Sequence, residues 1–324
     1  MIRTKNVGGF CIFLLTLFLL CFGIFVVNKF CILYWFHEPN THSRILSVLP
    51  TTTIGTVLFV IFNSFGYLST VSHLRASFWD PGIITKDIKA PSDLSEEQIR
   101  KCKRCKDIWK PTRAHHCSEC NVCIYKMDHH CPWINSWVGI KNSKYFFLFT
   151  FYTGIGALLS IAIIITSFIL LMQEDSNIHI KKRGYPIAFF LWICVFIESI
   201  LFSFFTLELV GEQIEAFQDN QTYIDDLKDL VGVPLTLTQG FKTAIGEDWL
   251  FWGLPTKPVL YINYSEKLYR VQEIINKKHY ENPSEDYDPS GKLKAIAVQE
   301  AKTDKIYFAV FSCLMATTWY YLSL

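Results

Sequence analysis

Four apolar stretches, at residues 9–27, 49–72, 145–172 and 186–210, constrain this chain more than anything else in it. Each is close to the ~20 residues that cross a hydrocarbon core, and is too long and aromatic-rich for a buried core helix. A chain of 324 residues that is 51% hydrophobic and only 19% charged is also more apolar than an ordinary soluble domain. The expected fold class is an all-α polytopic membrane protein with four transmembrane helices. The first stretch runs past the roughly 7–15-residue apolar core of a secretory signal, and no small-residue cleavage site follows, so it is read as retained.

Charge and cysteine usage orient the chain. The net charge of +2 hides an uneven distribution: 13 Lys or Arg residues lie between the second and third stretches, from Arg75 to Lys144. The loop between the third and fourth has three, at Lys181, Lys182 and Arg183. The positive-inside rule places the larger segment in the cytosol, although a length near 70 residues weakens that rule. Of 11 cysteines, six fall within 102–131, a cluster that stays reduced and competent for metal in the cytosol. Four spans then place both termini on the same side.

The expected division is residues 1–75 for the first two helices and their loop, 76–144 for a cytosolic cysteine-rich zinc-binding domain, 145–210 for the third and fourth helices, and 211–324 for a cytosolic tail. Asp80-Pro81-Gly82 marks a turn just past the membrane. The last 19 residues, 306–324, are again apolar and either span or lie in the interface.

The chemistry is concentrated in CKRCKDIWKPTRAHHCSECNVCIYKMDHHCPWINSW, residues 102–137. Two C-x-x-C pairs, Cys102/Cys105 and Cys117/Cys120, have zinc-knuckle spacing, with Cys123, His115, His116, His129 and His130 as further ligands. One grouping closes a site with both pairs and leaves Cys131 as a spare ligand. Geometry points elsewhere: in a locally extended run alternate side chains face opposite ways, so His130 points away from His129 and Cys131. His130 can then reach a zinc, while His129 sits beside the Cys131 thiol, within range of its proton. Asp128 reaches His129 only if the chain turns; there it would hold the imidazole tautomer, as in an Asp-His-nucleophile triad.

These residues resemble the DHHC protein S-acyltransferases, the palmitoyltransferases, over roughly residues 9–255 and most specifically in HHCSECNVCIYKMDHHCPWIN. The resemblance implies that Cys131 is the nucleophile acylated by acyl-CoA, His129 its base and Asp128 the orienting acid. It implies two interleaved zinc sites, one of Cys102, Cys105, His116 and Cys123, the other including Cys117, Cys120 and His130. Asn142 and Phe146 match the family's N-x-x-x-F at the third span. This chain departs from the pattern at Trp137, where the family has the last ligand of the second site. Three ligands with water, a rearranged His115, or loss of that metal are the alternatives. It departs again at Thr222 to Asp225, TYID, which resembles T-T-x-E.

The implied function is transfer of a fatty acyl group, most simply palmitoyl, from acyl-CoA through Cys131 to cysteines of membrane-associated proteins. A zinc-braced membrane scaffold without activity is the competing reading. Lys110, Arg113, Lys126, Lys141 and Lys144 are candidates to face the CoA phosphates. Gly154, Gly156 and Ala157 leave room for an acyl tail or simply let helices pack. Glu198 is an acid within an apolar span and therefore a functional suspect. His73 and Arg75 read as interfacial anchors, and Trp249, Leu250, Phe251 and Trp252 as residues on the membrane or under the catalytic segment. Acyl-CoA, zinc, protein substrates and the bilayer are the expected partners; no nucleic acid is expected, and an accessory subunit is left open. The expected location is an endomembrane, Golgi or ER.

Overall fold

The computed structural model describes residues 7–36, 52–90, 99–105, 108–173, 185–262 and 269–270. The apolar tail end, 306–324, lies outside the described residues. Four helices are long and apolar enough to cross a membrane. Helix α1 (Val7–Val27) runs on through a π-helical turn (Asn28–Ile32) and a last turn (Leu33–Phe36). Helices α2 (Thr53–Phe78), α3 (Ser143–Gln173) and α4 (Tyr185–Gln218) are the other three.

The first stretch therefore does not stop at Asn28 and Lys29. Asn28 Nδ2 donates to Asn63 Oδ1 at 2.9 Å, and Asn63 Nδ2 donates back to Asn28 Oδ1 at 3.0 Å. This reciprocal amide pair satisfies two polar side chains that would otherwise be costly among apolar helices, so the helix continues past them. Helix α4 likewise passes the expected end at 210 because GEQIEAFQ consists largely of residues that favour helix.

The chain divides into two compact units. One holds 14–72 and 148–210, the greater part of the four long helices. Its core joins Val26, Val27, Ile32, Phe62, Ile163 and Trp192. A cavity opens among its helices, bordered by Thr16, Tyr152, Gly156, Ala157, Glu198 and Ser199. Gly154 plays a different part: a Cβ there would lie 3.0 Å from Leu207 and Thr206, so its role is close helix packing.

The other unit holds the start of α1, residues 73–147 and the chain from 211. It corrects the all-α expectation, because the cysteine-rich segment is built of short antiparallel ribbons. Strand β1 (Ala114–Cys117) pairs with β2 (Val122–Tyr125), β3 (His130–Cys131) with β4 (Ser136–Trp137), and β5 (Leu230–Val231) with β6 (Tyr269–Arg270). The tail adds a short helix α5 (Tyr223–Asp226) and the amphipathic α6 (Leu237–Ile245). The DPG turn docks onto β2. Asp80 Oδ1 accepts from the Gly82 and Ile83 amides, Gly82 takes φ of 106°, and Ile84 donates to Cys123 O at 2.8 Å. Only glycine suits that φ, and at Gly139 a side chain would collide with the Pro81 carbonyl.

Candidate active site

The β1–β2 register places His116 opposite Cys123, and the Asn121 left-handed turn (φ 55°) closes the ribbon. Cys102 and Cys105 come from the preceding strap, where Cys102 donates to Ile108 O and Lys110 to Arg100 O. His116 Nδ1 lies 3.5 Å from Cys102 Sγ, 3.1 Å from Cys105 Sγ and 3.9 Å from Cys123 Sγ. All four ligand atoms fall within 4.8 Å of one another, the one such cluster found among the described residues. Three sulfurs and one imidazole nitrogen at this spacing form a donor set that suits a tetrahedral zinc. Burial works to raise the Cys102 thiol, yet the Cys105 and Arg104 amides aimed at its sulfur bring it down to about 7, favouring the thiolate that a metal needs. The structure thus interleaves the ligands and does not join the two C-x-x-C pairs in one site.

At the second corner the donors do not fit a metal. Cys120 donates its amide to Cys117 Sγ at 3.0 Å, repeating the knuckle turn of Cys102 and Cys105. Trp137, however, spends its indole N–H on Cys120 Sγ at 2.8 Å. His130 faces the Trp137 ring at 4.6 Å and sets Nε2 3.6 Å from Glu119 Oε2. His115, a further candidate ligand, is committed elsewhere: Nε2 donates to Asp225 Oδ1 at 3.3 Å and Nδ1 accepts from Lys228.

Between these corners lies the acid–histidine–cysteine run. The left-handed turn at Lys126 (φ 45°) ends β2, after which Asp128 donates to Val138 O and Val138 to His129 O, pinning the run against β4. Asp128 Oδ2 accepts from His129 Nδ1 at 2.8 Å, and the His129 ring lies near enough to the buried Cys131 thiol for the two to influence each other. His129 and Cys131 therefore share a face while His130 turns to Glu119 and Trp137, as alternation along an extended run requires. Burial pulls the His129 imidazole down, but the hydrogen bonds and charges of Asp128 and Cys131 outweigh it and push it up to about 10. The ring holds its proton at neutral pH and presents a cation to the sulfur.

Other residues fix this run in place. Asn142 donates to Trp137 O at 2.6 Å and Ala76 O at 3.0 Å and accepts from the Gly139 amide, so all its hydrogen-bonding groups hold backbone. One turn later the Phe146 ring packs edge-on to His129 at 5.3 Å. His73 Nε2 binds Trp133 O at 2.9 Å, which makes it a support for the loop after Cys131 and not simply an interfacial anchor.

The TYID departure keeps a hydroxyl and a carboxylate, at Thr222 and Asp225. Thr222 and Asp225 form a reciprocal capping box at the start of α5. Asp225, with 0% exposure, accepts from Arg113 Nε and Nη2 at 3.2 and 2.7 Å as well as from His115. Burial works to raise this carboxyl, but His115, Arg113 and the Thr222 amide hold it down to about 2. Sequence reasoning missed this role for Arg113, and no local pattern in the sequence signals a partner 112 residues away. Of the five cations expected to face CoA, Arg113 and Lys144 are 1% and 2% exposed. Arg113 holds Asp225 and Asn220, and Lys144 donates to Phe251 O and Thr256 Oγ1. Lys126 reaches Asn220 Oδ1 and Lys141 pairs with Asp80, both half-buried, as is Lys110. Trp252 packs on Phe241, whereas Trp249, Leu250 and Phe251 stay exposed.

The fold and this site define a protein with four helices long and apolar enough to cross a membrane and a cysteine- and histidine-rich segment. Residues 95–230 match the family model described as DHHC palmitoyltransferase. It is 36% identical to palmitoyltransferase ZDHHC3-A of Danio rerio over 60% of this chain and 63% of that protein. It is 37% identical to palmitoyltransferase ZDHHC3 of Homo sapiens over 52% of this chain and 58% of that protein. A more distant relative, probable protein S-acyltransferase 14 of Arabidopsis thaliana, is 25% identical over 73% and 82% of the two chains. The chain thus spans about three fifths of the length of the two vertebrate relatives.

Proposed function

We propose that this chain is a protein-cysteine S-palmitoyltransferase that works through an acyl-Cys131 intermediate. The arrangement that carries the reading is Asp128 on His129 at 2.8 Å and His129 on Cys131, inside a DHHC domain. In the first half, the Cys131 sulfur attacks the thioester carbonyl of acyl-CoA. A new carbon–sulfur bond forms, the bond to CoA breaks, and the departing CoA sulfur takes the proton carried by His129. In the second half, a substrate cysteine gives its proton to His129 and attacks the acyl carbon, and Cys131 leaves. Asp128 keeps the imidazole oriented and offsets its charge.

The acyl tail belongs in apolar space, since each buried methylene contributes about 0.8 kcal/mol. Lys110, Lys126 and Lys141, all half-buried, are the cations this reading turns to the CoA phosphates. Cys102, Cys105, His116 and Cys123 would hold a structural zinc that cross-links the segment and takes no part in the reaction. The four helices span an endomembrane, Golgi or ER, with residues 76–144 and the N-terminus in the cytosol. Membrane-associated proteins bearing accessible cysteines are the acceptors, with or without an accessory subunit. Mass spectrometry of the purified protein after incubation with palmitoyl-CoA tests the reading. Hydroxylamine-sensitive acyl mass on Cys131 is expected; its absence from zinc-loaded protein favours the scaffold.

A further inference from the structure

We propose that this chain holds one structural zinc, at Cys102, Cys105, His116 and Cys123, and that the corner of Cys117, Cys120 and His130 is locked by the Trp137 indole in place of a second metal. The inference does not depend on the transferase reading of Cys131.

The two corners begin alike and end differently. Both have an amide-to-sulfur knuckle, Cys105 onto Cys102 and Cys120 onto Cys117. Only the first gathers its ligand atoms within 4.8 Å; Cys117, Cys120 and His130 do not meet that spacing. A zinc with three protein ligands completes its tetrahedron with water and needs an open direction for it. Here that direction is filled. Trp137 is 9% exposed and packs with Cys117, Ile124 and Met127, with Cys120 and Val122 at the margin, an apolar plug. Indole offers no lone pair to a metal, and its one N–H is spent on Cys120. His130 Nδ1 is buried without a hydrogen-bond partner, yet it does not gather with both sulfurs.

The consequence reaches Cys131. The β3–β4 register sets His130 opposite Trp137 and Cys131 opposite Ser136, so the indole lock sits one residue from the nucleophile. The ribbon that presents Cys131 is then held by a side-chain contact and not by a metal.

Elemental analysis of the purified full-length protein should find one zinc per chain; two would overturn the proposal. Trp137→Cys rebuilds a Cys3His set and should raise the count to two, whereas an unchanged count would show that Trp137 is not what stands in for the metal. Trp137→Phe keeps a ring but loses the N–H, and should leave zinc at one while lowering the melting temperature. Thiol alkylation of wild type gives a readout independent of these variants. Cys105 and Cys120 are both half-buried, yet Cys105 should react only after a chelator is added and Cys120 without it. Equal protection of the two, released together by the chelator, would overturn the proposal.

Discussion

The backbone amide of Tyr223 donates to Asp128 Oδ1 at 2.7 Å, and so joins the tail after the fourth helix to the acid of the Asp128–Cys131 run. Asp128 thus has both carboxylate oxygens engaged, one by Tyr223 and one by His129. The tyrosine side chain is 59% exposed and plays no part in the bond, which is why an altered residue type at this position is compatible with bracing.

Removing that one N–H is feasible. Tyr223 is the first residue of α5 and follows Thr222, whose ψ of 160° is already what a residue before proline prefers. Tyr223→Pro should therefore keep α5 and lose only the bond to Asp128. A hydrogen bond to a charged group contributes about 1.5–3 kcal/mol, so acylation of Cys131 should slow by roughly 10- to 100-fold, while Tyr223→Ala should be near wild type. Single-turnover rates with palmitoyl-CoA compare the two.

Cys131→Ser should abolish acyl-enzyme formation with zinc content unchanged, because the sulfur is 4% exposed beside His129 and is no part of the metal cluster. His129→Ala should slow the reaction by roughly 10²–10⁴, the usual worth of a proton-transfer group, again with normal zinc. His116→Ala should instead lose the zinc. Metal analysis beside acylation rates separates these outcomes, and zinc loss in Cys131→Ser would contradict the assignment.

Acid stability should depend on Asp225. Its folded-state value is depressed to about 2 from 3.8, so its contribution is present above about pH 4 and disappears as pH falls toward 2. A shift of this size corresponds to about 2 kcal/mol. Asp225→Asn should flatten that limb of the melting curve and destabilise the protein at neutral pH, since Arg113 would remain buried without its counter-charge. Melting temperatures between pH 3 and 7, compared with wild type, check both parts.

The Asn28–Asn63 pair offers a test inside the helices. Replacing either residue alone by leucine strands one amide and should cost about 1 kcal/mol. The double replacement removes both polar groups and should recover most of the loss. A coupling energy near zero in that double-mutant cycle would show that the amides do not depend on each other.

Sequence alone determined the parts whose physics is local. Apolar runs of spanning length announced the four helices, ligand-type residues at knuckle spacing announced the metal segment, and strand alternation separated His129 from His130. Their limits were less legible, because Asn28 and Glu212 look like ends until a partner or a continuing helix propensity is known. Only the tertiary structure decided which polar groups meet across distance: Arg113 with Asp225, Tyr223 with Asp128, Asn28 with Asn63 and Trp137 with Cys120. Arg113 and Asp225 satisfy each other in full burial, and burial is a property of the packed chain. That is why Arg113 reads from sequence as a cation for a soluble anion and in the fold as the partner of a buried carboxylate.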